Sequence, residues 1–471
     1  MLIFRPIMRR IRQNAIIALA VATAFSLMTR GGWASTDPAE AGGASHSLDP
    51  IVLVGIAVIL VVAKLVGELF ERFNQPAVLG ELLGGIILGN LTLVGLTAVE
   101  RLKTDNVIGA LAEIGVIILL FEVGLESNLA EMMEVGWSSL LVAVVGVIAP
   151  FFLGWGVAAY FIPGEATLGH IFIGATLCAT SVGITARVLK DIKKIQTRES
   201  RIILGAAVID DILGLLILAV VQGAIIAQAA GASLSVTQVA IIALKAGAFL
   251  VGAIAIGHYI VPQLFRGVTR FEGRGVLLSL AIAICFTLAW VANLVGLAYI
   301  VGAFAAGLVL DEAHFEILPN HDKKDLQYLL KPVSDVLVPI FFVLMGLKVD
   351  LRNFARLDLL GFAAALTIVA ILGKQVCSLA VVERGINRLA VGIGMIPRGE
   401  VGLIFAGIGV TLTLPNAEGV MEPIISAATF GAVVIMVIIT TLVTPPLLKL
   451  AMARIESVED KAVSAVEEVA D

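Results

Sequence analysis

The chain has 471 residues, 59% of them hydrophobic and only 15% charged, with a mean hydropathy of +1.03. A water-soluble domain this apolar could not cover itself with polar surface, so that class is excluded. A formal net charge of −5 points to no nucleic-acid partner; the five histidines form no HExxH, and Cys178, Cys285 and Cys377 all lie in apolar runs, which argues against a disulfide framework or thiolate metal site.

The apolar residues fall in runs of about twenty, the length that crosses roughly 30 Å of hydrocarbon. Strand-like alternation is absent, so helices rather than a barrel satisfy the backbone in lipid. The fold class expected is therefore an all-α polytopic membrane protein. At the N-terminus, Arg5, Arg9, Arg10 and Arg12 precede a short apolar stretch from Asn14 to Met28, followed by Gly32 and Ala34. This is the layout of a signal peptide over residues 1–35, with an uncleaved, tilted helix as the alternative reading. A polar extracytoplasmic segment at 36–49 follows, then a transmembrane domain at 50–450 and a charged cytoplasmic tail at 451–471.

Thirteen spans are predicted, at approximately 50–70, 76–97, 106–125, 136–161, 167–188, 202–227, 237–263, 275–292, 295–310, 333–349, 358–382, 388–412 and 423–450. An external N-terminus then puts the C-terminus inside. The loop between spans five and six carries Arg187, Lys190, Lys193, Lys194, Arg198 and Arg201, that between seven and eight Arg266, Arg270 and Arg274, and that between eleven and twelve Arg384 and Arg388. All three fall on the cytoplasmic side, as the positive-inside rule requires. Lys348, Arg352 and Arg356, after span ten, disagree.

Spans one to six can be laid against eight to thirteen. GELLGGIILG in span two matches VGAFAAGLVL in span nine, and FEVGLE in span three matches VLMGLKVD in span ten. Spans five and twelve both carry breakers, around Gly183 in CATSVGIT and around Pro397 and Gly399 in MIPRGEVGL. Matching spans lie seven apart, so the halves are inverted, an organisation that transporters use around binding sites made of broken helices.

A charge in the bilayer core is expensive and is a functional candidate by default. Asp210 and Asp211 are adjacent in GAAVIDDILGLLILAVV. Two neighbouring carboxylates cannot both stay charged cheaply in a low-dielectric site without a cation, which suits a carrier that trades a proton for a metal ion. Asp210 lies nine residues past Arg201, about 14 Å along a helix from the cytoplasmic end. Lys374, Arg398 and Thr180 reach a similar depth on three other spans, so Lys374 is the expected counter-ion of one aspartate. Arg398 and Glu400 flank the break in span twelve, as a supporting network or as ion contacts. Glu81, Glu113, Glu122 and Asp335 are read as lining a cavity or pairing within the bundle, and Lys64, Glu68 and Lys245 as interfacial or structural.

The set ATSVGIT, VIDDILGL, PIFFVLMGL, a lysine in the next span, and PRGEVGLI resembles the second cation/proton antiporter family, in particular its NapA-type sodium/proton antiporters, from about Asp49 to Lys449. The resemblance implies an inverted-repeat fold of thirteen helices with two crossed broken helices, a dimerisation domain and a six-helix core domain. It also implies a homodimer, elevator-type alternating access, no cofactor, and a role in pH homeostasis. Carried over by position, Asp211 resembles the ion-binding aspartate. Asp210 resembles its partner, paired with the lysine matched by Lys374, and Thr180 and Ser181 match the broken-helix residues beside the ion. An aspartate at 210, where potassium/proton relatives often have glutamine, favours electrogenic exchange of sodium, or lithium, for protons in a bacterial cytoplasmic membrane. Potassium/proton exchange on the same fold is the near alternative. An intramembrane aspartyl protease is the distant one, but it needs aspartates on two facing helices and a GxGD motif, which is absent; an ion channel would not need the proton-coupled pair.

Overall fold

The computed structural model describes residues 49–73, 75–95, 99–126, 136–229, 231, 236–268, 275–310, 326–352, 357–415 and 420–470. The expected signal peptide lies outside them. The described helices are α1 (Pro50–Arg72), α2 (Ala77–Gly89), α3 (Glu100–Thr104), α4 (Asn106–Glu126), α5 (Trp137–Phe161), α6 (Thr167–Thr176), α7 (Val182–Asp191) and α8 (Arg198–Ala229). They continue with α9 (Val236–Val268), α10 (Val276–Leu294), α11 (Tyr299–Val309), α12 (Leu326–Leu347), α13 (Leu357–Val376), α14 (Arg388–Gly394), α15 (Gly399–Thr411) and α16 (Ala427–Ala470).

Among the described residues, nine helices are long and apolar enough to cross a membrane, and ten if α14 and α15, bent by 45°, count as one span. The remaining predicted spans correspond to shorter pieces. The second is a 13-residue helix with a 3-10 turn after it, the fifth is split into α6 and α7, and the ninth is 11 residues long. The acidic loop before α16 contains a feature the sequence did not suggest, a hairpin pairing Thr413–Pro415 antiparallel with Met421–Pro423.

The chain divides into two units, residues 1–115 with 335–351 and residues 116–334 with 352–471. In the first, α2 is held by its glycines. A Cβ at Gly80 would overlap the Val66 carbonyl of α1; one at Gly85 would overlap the Val343 carbonyl and press on Gly346 of α12. Small residues let backbones meet, which is how helices associate where lipid removes the hydrophobic drive. Asn90 closes this unit by donating to the carbonyls of Ile86 and Val349 and accepting from the Leu351 amide.

The second unit repeats the contact with other residues. Gly124 at the end of α4 lies against Phe304 and Gly307 of α11, and a Cβ at either glycine would overlap backbone. Gly85 against Gly346 and Gly307 against Gly124 are the same pairing between the span motifs matched above, so the inverted repeat is visible as packing. Gly373 of α13 packs directly against Pro150, inside α5; a Cβ at Gly373 would lie 2.8 Å from the Pro150 Cα. That close approach sets the depth of the next residue, Lys374.

Candidate functional site: two aspartates at crossed helix breaks

The break between α6 and α7 runs over residues 177–181, and that between α14 and α15 over 395–398. They lie against each other. The Ser181 amide donates to the Pro397 carbonyl at 2.8 Å, the Thr180 hydroxyl to Met395 O at 3.3 Å, and the Thr185 hydroxyl to Gly394 O at 2.7 Å. Pro397 supplies no amide and disfavours helix at Ile396. Gly399 follows at φ +44°, in the left-handed region, with no room for a Cβ beside Ser181. Gly183, by contrast, was expected to break the first span but sits inside α7 with open space around it. That break is made by tertiary partners.

The chief partner is Arg398. It is fully buried and donates through Nη1 to Ala179 O at 2.7 Å and through Nη2 to Ala370 O of α13 at 3.1 Å. Carbonyls freed at the end of α6 carry the negative end of the helix dipole, and the guanidinium answers it. The expected network around a single break is thus a clamp on both breaks and α13. Glu400 sits in the first turn of α15, where a carboxylate suits the helix N-terminus. It accepts from the Ser181 hydroxyl at 3.0 and 3.1 Å, so Ser181 is engaged by Glu400.

Asp210 and Asp211 are neighbours on α8, turned about 100° from each other around the helix. Asp210 is fully buried, and its Oδ1 accepts from Lys374 Nζ at 2.7 Å; both side chains are 0% exposed. Thr180, whose hydroxyl donates to Met395 O, lies beside the Asp210 carboxylate. Gly146 of α5 makes room for the pair, since a Cβ there would lie 3.6 Å from Lys374 Nζ and 3.8 Å from Asp210 Oδ1. Asp211 is buried as well, at 6% exposure. Among the described residues, Asp210 Oδ2 and Asp211 Oδ1 are buried oxygens without a hydrogen-bond partner. Such oxygens are costly to leave unmet and are suited to a cation or a proton.

The structure therefore brings Asp210, Asp211, Thr180, Ser181, Lys374, Arg398 and Glu400 together. Of the charges weighed lower, Lys64, Glu68, Lys245, Glu113 and Asp335 are exposed, with Glu68 bonded to Arg72, while Glu81 is buried in the first unit and Glu122 accepts from Ser334. Sequence reasoning passed over Glu126, one helical turn beyond Glu122. The i, i+4 spacing of two acids at the end of an apolar span was the available signal.

Two crossed broken helices, with a carboxylate pair and a buried lysine beside them inside an all-helical membrane chain, define a secondary transporter of the antiporter fold. Residues 57–450 match the family described as sodium/hydrogen exchanger, transmembrane. The chain is 40% identical over 439 residues to the high-affinity Na(+)/H(+) antiporter NhaS3 of a Synechocystis species, covering 85% of this chain and 90% of that protein. It is 34% identical to the Na(+)/H(+)-K(+) antiporter GerN of Bacillus cereus, covering 87% of this chain and 97% of that one. The sodium proton antiporter MjNhaP1 of Methanocaldococcus jannaschii shares the fold at a TM-score of 0.61 and 16% identity, covering 86% and 97% of the two chains. The chain belongs to the sodium/hydrogen exchanger family. It is a multi-pass membrane protein and a secondary transporter, not an enzyme.

Proposed function

We propose that this chain exchanges sodium, or lithium, for protons, with Asp211 as the group that alternates between proton and cation. The observation that carries the reading is the buried Asp210–Lys374 pair beside two partnerless carboxylate oxygens, at the point where the breaks cross. Asp211 with Asp210 Oδ2 and break carbonyls such as that of Thr180 supplies hard oxygen ligands of the kind alkali cations take. Cation arrival beside Asp210 competes with Lys374 for its carboxylate. The lysine, released into a low-dielectric site, gives up a proton, so two protons move against one cation and exchange is electrogenic. Elevator-type movement of the core, a homodimer, a bacterial cytoplasmic membrane with the C-terminus inside, and a part in pH homeostasis belong to the same proposal.

The test is cation-driven proton exchange in proteoliposomes. Wild-type protein should respond to sodium, with apparent affinity weakening as pH falls, because both ligands bind one site. Folded Asp211→Asn should be inactive at every pH; wild-type-like exchange by it would sink the assignment. An imposed membrane potential should drive the wild type but not the residual exchange of Lys374→Gln. That variant should also lose about 3–5 kcal/mol of stability, read as a thermal shift in detergent, because it leaves Asp210 buried and unpaired. Indifference of the wild type to voltage would reduce the pair to a structural strut. Potassium/proton exchange is the second reading, favoured by the name of GerN, and the same assay with potassium in place of sodium separates the two.

A further inference from the structure

The two half-helices that lead into the breaks, α6 and α14, are each tied down at the end away from the ion site, and the exchange chemistry above uses neither tie. Asn387 caps α14 by accepting from the Ala390 amide at 3.1 Å, and its own backbone amide donates at 3.0 Å to Glu199 Oε1, in the first turn of α8. Its side-chain Nδ2 donates to Ala451 O of α16 at 2.9 Å. Glu165 stands just before α6, and its Oε1 accepts at 2.8 Å from the hydroxyl of Thr429, in the first turn of α16. Ser426 fixes Thr429 in turn, accepting from its amide at 3.1 Å and donating to its Oγ1 at 2.9 Å. Glu199 and Thr429 are buried, at 6% and 2% exposure. Thr429 and Ala451 lie about 33 Å apart along α16, so the two ties sit at opposite ends of that helix.

The ties are counterparts in the inverted repeat. Helices α6 and α14 open spans five and twelve, and α8 and α16 are spans six and thirteen. Each tie therefore joins the start of one broken span to the start of the long helix that follows the other. A glycine seats each half-helix as well: a Cβ at Gly169 of α6 would lie 2.8 Å from Ile424 O, and one at Gly394 of α14 2.7 Å from Ile203 Cδ1 of α8. Beyond α6 come Ala179 and Thr180, beyond α14 come Met395 and Arg398, and α8 itself carries Asp210 and Asp211.

We propose that Glu199 with Asn387, and Glu165 with Thr429, are positioning residues for the ion site, each pair setting where one break stands against the aspartates of α8. Helices of 7 and 10 residues are too short to hold their own place, so their location comes from what grips their ends. A slip of one residue, about 1.5 Å, would break the bonds of 2.7 to 3.3 Å that join the breaks. The inference rests on the antiport reading above.

The experiment measures sodium-driven exchange per folded protein in proteoliposomes for Glu199→Ala, Glu199→Gln, Thr429→Val and Thr429→Ser, with sodium presented to one face at a time. Glu199→Ala removes the acceptor and Thr429→Val the donor. Each should raise the KM for sodium about fivefold at both faces, the factor that one net hydrogen bond is worth. Glu199→Gln keeps an accepting oxygen and Thr429→Ser a donating hydroxyl, so both should return the KM to within about twofold of wild type. Should Glu199→Ala fail to fold, Asn387→Ser, which retains a cap on α14 and loses the tie to Ala451, should show the same rise in KM. Less folded protein with an unchanged KM would reduce the ties to structural braces and overturn the proposal. So would Gln and Ser variants no better than Ala and Val, or a change confined to one face, which marks a gate. If the wild type shows no sodium-driven flux, the antiport reading fails and this one with it.

Discussion

The two helix breaks do the same job with different means. The break over 395–398 is written into its own backbone: Pro397 removes a donor, and Gly399 adopts φ +44°. The break over 177–181 has no proline, and its nearby Gly183 is an ordinary helical residue. It stays open because Arg398 holds Ala179 O and because Ser181 and Thr180 bond across to the other break. One break is thus intrinsic and the other imposed by it. The imposed break bears Thr180, which contacts the carrier region, so the intrinsic one acts as its template.

The largest test of this asymmetry is Arg398→Met. Two charge-assisted hydrogen bonds, one to the break carbonyl of Ala179 and one to Ala370 O of α13, each worth about 1.5–3 kcal/mol, disappear together. Thermal stability in detergent should fall by about 3 kcal/mol or more, and exchange should be lost with it. A variant that keeps both would mean that the first break is intrinsic after all. Gly399→Ala should cost less: a left-handed backbone at a non-glycine residue costs about 1–2 kcal/mol, with the overlap against Ser181 added. Its mark should be reduced exchange in protein that still inserts and folds. Gly183→Ala should do least, and in the opposite direction, stabilising α7 by about 0.5–1 kcal/mol with exchange retained. A Gly183→Ala variant as damaged as Gly399→Ala would restore Gly183 as the breaker and end the comparison.

Much of the site was legible because charge in a bilayer has few explanations. Asp210, Asp211 and Lys374 stand out in apolar runs, and counting residues to the nearest basic loop placed them at one depth, where Asp210 and Lys374 meet at 2.7 Å. Glycine motifs foretold the repeat because only glycine allows two helix backbones to touch, and Gly85–Gly346 and Gly307–Gly124 do so. Reading failed where the local pattern was neutral. Glycine at 183 is a breaker in one context and a spacer in another, and nothing around it decides which. Short α2 and α11 read as full spans because their flanking residues are equally apolar.

What the sequence by itself determined is the class of protein, the presence of a carboxylate pair inside the membrane, and the spans in which both helix breaks fall. Hydropathy, the cost of intramembrane charge and the backbone limits of Pro397 and Gly399 are properties of residues and their near neighbours. The tertiary structure alone decided what holds residues 177–181 open, that Arg398 clamps both breaks to α13, and that Ser181 serves Glu400. Each of these depends on which backbone carbonyl or carboxylate arrives opposite from another helix, and most such meetings are set by packing between spans more than 150 residues apart.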